Sequence, residues 1–295
     1  MKVLLAVDSS PESQLVIAAA TGRPWPSGTT FQVLTVIDLD RWEGTPTLLD
    51  DARRAAELLV KGANEKLSRT RCEMSSEIQW GSPAKAISDH AKEWGADMVM
   101  VGSHGQGGST RFLLGSVSQA VLRMSTCSVE IVRQAAITAP PADGTTILLA
   151  TDGSEYSAHA VYSVANRPWP ANSRIRILSV VQLPIFEQQT IPSSVYSEYP
   201  SELLQQMWKE ARVRADQAIA EARKILKSAS SILCDAMVTP AGRPRAVILD
   251  EAQSWGANLI VLGSHGRRGG ERLSMGSVAE SVALHAHCAV EVIRQ

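Results

Sequence analysis

Val3-Leu4-Leu5-Ala6-Val7-Asp8 returns later in the chain as Ile147-Leu148-Leu149-Ala150-Thr151-Asp152. A short apolar run ending in aspartate reads as a buried strand that delivers a carboxylate to its C-terminal end, and here it is written twice. Arg-Pro-Trp-Pro at Arg23 to Pro26 returns at Arg167 to Pro170 with the same spacing of 144 (152 − 8). Trp94-Gly95-Ala96-Asp97 then answers to Trp255-Gly256-Ala257-Asn258, and Gly102-Ser103-His104-Gly105 to Gly263-Ser264-His265-Gly266, with a spacing of 161 (263 − 102). The chain is therefore an internal repeat whose second copy has gained a net 17 residues (161 − 144) between its second strand and third helix. Gln134 to Thr145, with Pro140-Pro141 and Gly144, reads as a linker and sets the domains at 1–139 and 140–295.

Within each copy, β-rich apolar runs alternate with helix-period stretches, the pattern of βαβ units on a parallel sheet. Copy one places strands at Lys2–Val7, Phe31–Val36, Glu73–Gln79, Met98–Val101 and Val129–Val132. Copy two places them at Thr146–Thr151, Arg174–Val180, Ile232–Thr239, Leu259–Leu262 and Val290–Ile293. Ser10-Pro11 and Ser82-Pro83 put a capping hydroxyl before a proline suited to the first helical position, and Gly95 and Gly256 end helices. The expected fold is α/β: two tandem five-stranded open parallel sheets, Rossmann-like, with helices on both faces.

Composition narrows the function. The 295 residues carry 29 Lys and Arg against 30 Asp and Glu, a net charge of −1, which gives no electrostatic reason to bind nucleic acid or an anionic membrane. The apolar runs are far shorter than the ~20 residues of a membrane-spanning helix. MKVLLAVDSS reaches an aspartate too soon for a signal-peptide core, so a cytoplasmic location is expected. Cys72, Cys127, Cys234 and Cys288 lie far apart with no CxxC pair and read as reduced thiols.

In open α/β sheets ligands bind outside the C-terminal strand ends where the strand order reverses, which here gathers the Asp after the first strand, the end of the second strand and a Gly-rich loop after the fourth. That loop reads GSHGQGGSTRFLLGS in copy one and GSHGRRGGERLSMGS in copy two. Both fit Gly-x2-Gly-x9-Gly-Ser, through Gly102, Gly105, Gly115 and Ser116, and through Gly263, Gly266, Gly276 and Ser277. The first two glycines would let backbone N–H groups approach an anion, and the final Gly-Ser would open a helix whose free N–H groups attract phosphate. A plain tight turn needs one or two glycines, whereas two copies that keep a third at fixed distance suggest a loop wrapped around a ligand.

With those motifs in place the sequence resembles a tandem universal stress protein of the ATP-binding branch, over both halves nearly end to end. The resemblance implies that Asp8 and Asp152 contact the adenine or ribose end and that the backbone at Val36 and Val180 meets adenine. It implies that the Gly and Ser residues of the two motifs hold ribose and phosphates, with Mg²⁺ bridging phosphate oxygens. Val117 and Val278 follow the serines as the family pattern expects, and His104 and His265 inside the loops are counted with the binding residues. Cys127-Ser128-Val129 and Cys288-Ala289-Val290 lack the proline that often opens the family's fifth strand. The family's mode of association implies that the two halves pair as a pseudo-dimer through Val129–Arg133 and Val290–Arg294; a further homodimer of whole chains stays open.

The implied function is a cytoplasmic stress-response protein that binds ATP, up to two adenine nucleotides per chain, and signals through nucleotide-dependent interactions. The alternatives are a slow ATP hydrolase or nucleotidyl transferase, and a nucleotide-free interaction scaffold. No catalytic residue is assigned, because neither histidine has a readable partner base and GxxxxGK[ST] is absent. Arg111, Arg272, Arg267 and Arg268 are candidate phosphate clamps or plain loop surface. His285-Ala286-His287-Cys288 has no metal-binding counterpart in copy one, so no metal site is assigned. Trp25, Trp169, Trp94 and Trp255 read as packing anchors, and Leu183 to Ser201 as a flap over the second site or a surface loop.

Overall fold

A computed structural model describes residues 1–38, 46–105, 114–133, 144–181, 201–229, 233–239, 243–267 and 275–294. In copy one, β1 (Lys2–Ala6), α1 (Pro11–Thr21), β2 (Thr30–Asp38), α2 (Pro46–Leu67), β3 (Glu73–Gly81), α3 (Pro83–Trp94), β4 (Met98–Gly102), α4 (Ser116–Met124) and β5 (Ser128–Val132) follow in order. Copy two repeats them as β6 (Thr146–Ala150), α5 (Glu155–Ala165), β7 (Arg174–Val180), α6 (Ser201–Ala229), β8 (Leu233–Thr239), α7 (Pro244–Trp255), β9 (Leu259–Gly263), α8 (Ser277–His285) and β10 (Ala289–Ile293). Every strand expected from the sequence is present, with β2 and β3 each running two residues further than expected. The linker from 134 to 143, with the domain boundary at 140, and nearly all of the proposed flap lie outside the described residues.

The strands form one ten-stranded sheet in the order β3-β2-β1-β4-β5-β10-β9-β6-β7-β8. Each half is parallel, and the halves join where β5 meets β10 antiparallel, with Val129 opposite Val292, Glu130 opposite Glu291 and Ile131 opposite Val290. Strand alternation divides the core between the two faces. Leu4, Val99, Val129 and Ile131 share one continuous cluster with Leu148, Ile260, Val290 and Val292, under α3, α4, α7 and α8. On the other face the cores are separate: Val3, Leu5 and Phe31 pack under α1 and α2, whereas Ile147, Leu149 and Ile177 pack under α5 and α6.

Between those two separate cores the junction is charged. Glu130 and Glu291 are almost wholly buried, and the arginines of the repeated Arg-Pro-Trp-Pro motifs pair with them. Arg23 forks onto both oxygens of Glu130 and lies over Trp25, while Arg167 Nη2 donates to Glu291 Oε2 at 2.8 Å and its guanidinium lies over Trp169. The motif's tryptophan lies against each arginine and is itself anchored: Trp25 Nε1 and Trp169 Nε1 donate to the carbonyls of Ala20 and Val164. Around this centre Arg133 donates to the Ala283 carbonyl of α8 at 2.5 Å and Arg294 to the Leu122 carbonyl of α4 at 2.9 Å. Each half thus satisfies last-turn carbonyls of the other half's helix, where the helix dipole favours a cation.

Two local expectations need revision. Ser10 and Ser82 make no side-chain cap to their helices; Ser10 Oγ is taken by the Asp8 carboxylate instead. In copy two Ser154 does cap α5, accepting from Ser157 N at 3.2 Å. Gly95 and Gly256 end α3 and α7 in the left-handed conformation, as expected, at φ 70° and 68°.

Candidate functional site

In each half, β1 or β6 neighbours β2 or β7 on one side and β4 or β9 on the other, so the crossovers leave toward opposite faces and a crevice opens at their C-terminal ends. Asp8 and Asp152 stand at that crevice. Asp8 Oδ1 accepts from Ser10 N at 3.0 Å, Ser13 Oγ at 2.7 Å and Ser10 Oγ. Asp152 Oδ1 accepts from Ser154 N at 2.9 Å and its Oδ2 from Arg267 N at 2.9 Å. In copy two Ser157 Oγ lies 3.1 Å from Thr151 Oγ1 and donates to the Ser154 carbonyl.

The three motif glycines serve different contacts. A Cβ on Gly102 would fall 2.8 Å from Glu12 Cβ, and one on Gly263 would fall 2.6 Å from the Tyr156 carbonyl and 2.8 Å from Ser157 N. The first glycine is therefore required by the packing of the fourth strand's end against the first helix. The second glycine brings the loop onto the carboxylate: a Cβ on Gly105 or Gly266 would lie 2.8 Å from Oδ2 of Asp8 or Asp152. The third closes the loop, since Gly115 N donates to the Ser103 carbonyl at 2.8 Å and Gly276 N to the Ser264 carbonyl at 2.9 Å. Residues 106–113 and 268–274 between them, with Arg111, Arg268 and Arg272, lie outside the described residues.

Helices α4 and α8 start at the third glycine, with Ser116 and Ser277 exposed as first residues and Val117 and Val278 half-buried behind them. Their first-turn N–H groups have no intrahelical carbonyl and carry the positive end of the dipole. His104 Nδ1 lies 3.1 Å from Ser103 Oγ, and His265 Nδ1 the same distance from Ser264 Oγ. Among the described residues Nε2 of both rings is buried without a hydrogen-bond partner, and His265, only 7% exposed, packs against the Tyr156 ring at 4.9 Å.

In copy two these parts enclose a cavity of about 820 Å³. All eight residues expected there line it: Asp152, Val180, Gly263, His265, Gly266, Gly276, Ser277 and Val278. In copy one Asp8 meets Gly105, and Gly115 lies against His104, whose Cα would be 3.3 Å from an added Cβ. Val36 lies half-buried inside β2, which continues to Asp38. Sequence reasoning missed the wall that α6 supplies. Ala211, Arg214 and Ala215 line the cavity, with Pro244 and Ile248 of α7. The alanines at 211, 215 and 218 follow helical spacing and were a usable sign of a close approach; the arginine gave none.

The cavity's volume falls in the range of small-molecule sites. Among the described residues no cluster of three or more His, Cys, Asp or Glu is placed to hold a metal ion, and no helix is long and apolar enough to cross a membrane. His285 Nδ1 is bonded to the Ser281 carbonyl of its own helix.

The universal stress protein family model matches residues 1–133 and again 145–294. The chain belongs to the universal stress protein family. A universal stress protein of Mycobacterium tuberculosis is 28% identical over 261 residues, covering 83% of this chain and 78% of that one. The crystal structure of a universal stress protein from Archaeoglobus fulgidus overlays on the whole chain and 96% of its own, with a TM-score of 0.66 at 21% identity, which agrees with the tandem α/β fold. A universal stress protein solved in complex with cAMP covers 52% of the chain at 20% identity with a TM-score of 0.37, and that nucleotide belongs to that protein.

Proposed function

We infer that this universal stress protein binds ATP through its two Gly-x2-Gly-x9-Gly-Ser loops, one adenine nucleotide per copy, in the cytoplasm. The observation that carries the reading is the copy-two cavity, which gathers every expected residue of that copy around one space. Asp152 offers carboxylate oxygens to ribose hydroxyls, the end of β7 at Val180 offers backbone groups and an apolar edge to adenine, and the first turn of α8 with Ser277 offers donors to phosphate. The buried and unpartnered His265 Nε2 is a polar atom that a ligand would satisfy. Mg²⁺ would be held chiefly by the nucleotide's own phosphates and would neutralise their charge, since among the described residues lining the cavity Asp152 is the one carboxylate. Binding would change the surface that each copy offers to partners.

The test is calorimetric titration of the full chain with ATP and Mg²⁺, beside Asp8→Ala and Asp152→Ala. Saturable binding to the parent, weakened in each variant, supports the reading. A parent chain that gives no binding heat and no ligand-induced rise in melting temperature rules it out.

A further inference from the structure

The two sites are not built alike. The ion pairs Arg53–Glu57 on α2 and Arg212–Asp216 on α6 correspond at a spacing of 159 (212 − 53), and the buried residues Ala56, Val60, Ala63 and Leu67 match Ala215, Ile219, Ala222 and Leu226 in that register. Arg214, in the cavity wall, therefore stands where copy one has Ala55. The side chain of Arg214 is about two-fifths exposed and its one described ion pair, to Glu210, is loose at 3.9 Å. It has length and freedom to turn toward an anion.

Its place relative to the rest of the site follows from a chain of contacts. Ala218, one turn further along α6, is 3.2 Å from where a Cβ on Gly153 would lie. Gly153 holds φ +75° next to Asp152, and Asp152 in turn touches Gly266 and accepts from Arg267 N. Copy one has Ser9 and Leu59 at the positions of Gly153 and Ala218, so its second helix lacks this small-residue approach. Arg267, also lining the cavity, has Gln106 as its counterpart. Copy two thus brings two arginines to the lining of its cavity, Arg214 from α6 and Arg267 from the loop. Copy one has Ala55 and Gln106 at those positions. The carboxylates differ in the same sense: Asp8 Oδ1 takes two serine hydroxyls and one N–H, whereas Asp152 Oδ1 takes the single Ser154 N–H among the bonds described.

Resting on nucleotide binding as proposed above, we propose that Arg214 makes the copy-two cavity a site for the polyphosphate form of an adenine nucleotide, whereas the copy-one site discriminates weakly between mono- and triphosphate. A forked guanidinium matches phosphate oxygens, and it contributes in proportion to the charge presented. One charge-assisted hydrogen bond gained corresponds to about tenfold in affinity.

Photolabelling of the full chain with 8-azido-ATP and with 8-azido-AMP, followed by mass mapping of the labelled peptides, reads each copy separately. The triphosphate should label copy two at about tenfold lower concentration than copy one, and the monophosphate should narrow that gap. Arg214→Gln should abolish the triphosphate preference of copy two, Arg214→Lys should restore part of it, and Ala55→Arg should raise it in copy one. Equal labelling of both copies by the triphosphate, or a copy-two preference that survives Arg214→Gln, overturns the role of Arg214 while leaving nucleotide binding intact. Labelling of neither copy that excess ATP can compete away removes the nucleotide reading itself.

Discussion

Arg167→Met tests the charged centre of the junction. Glu291 is fully buried, faces Glu130 across the β5–β10 pairing and has Arg167 as its direct counter-charge. Removing one partner of a buried pair leaves an uncompensated charge and costs about 3–5 kcal/mol, whereas replacing both partners with apolar side chains of similar volume is often neutral or stabilising. Arg167→Met should therefore lower stability by about 3–5 kcal/mol at neutral pH, and Arg167→Met with Glu291→Leu should recover most of that loss. The pH dependence has a definite sign. Burial, the leading cause, holds the Glu291 carboxyl above its ordinary value, opposed by Arg167 and reinforced by Glu130. A group whose folded value is raised contributes stability that is complete below its unfolded value and is lost as pH rises through the folded one. Without Arg167 the carboxyl rises further, so the deficit of the single variant should shrink as pH falls from 7 toward 5. Urea unfolding followed by tryptophan fluorescence at several pH values measures all of this. A single variant within about 1 kcal/mol of the parent, or a double variant as unstable as the single, would refute the assignment of this pair as buried and mutually dependent.

Other outcomes follow from the same geometry. Gly263→Ala must push the start of α5 away from a backbone contact of 2.6 Å and should cost about 1–3 kcal/mol, whereas Gly266→Ala meets only the movable end of Asp152 and should mainly weaken ATP binding. Thermal melts and titrations of both variants check the division, and equal losses of stability would sink it. Burial pushes the Cys127 thiol up to about 11 and the Cys288 thiol to about 12. Both should resist iodoacetamide at pH 8 in the folded chain and react once urea unfolds it, as timed alkylation and peptide mapping would show. Arg133→Ala removes a cross-junction cap on α8 and should cost about 1–3 kcal/mol in chemical unfolding, with the secondary structure of copy one unchanged by circular dichroism.

The sequence disclosed the strands because a parallel strand covered on both faces must be apolar nearly throughout, and Val3–Val7 or Leu259–Leu262 leave little choice. The motif glycines were equally visible by type and spacing, but their separate duties were not. That Gly263 serves α5 packing depends on how closely two distant segments approach, which no local pattern encodes. The junction shows a sign that was there to be read. Glu130 and Glu291 interrupt the apolar fifth strands at the same place in both copies, and a charge at the middle of a buried strand requires a partner. In the repeated Arg-Pro-Trp-Pro the tryptophans read as packing anchors, although the arginines are what the glutamates require. Arg214 lay beyond reach because α6 is offset by 159 rather than 144 or 161, so its counterpart emerges only when the two cores are aligned in space.

The central claim is that the paired Gly loops hold adenine nucleotide. The direct measurement is to purify the full chain without added nucleotide, denature it, identify and count what is released, and then titrate the emptied protein with ATP and Mg²⁺. The account predicts adenine nucleotide in the released fraction or saturable ATP binding afterwards, reaching at most two per chain. A chain that releases no nucleotide and then fails to bind ATP in the titration would contradict it.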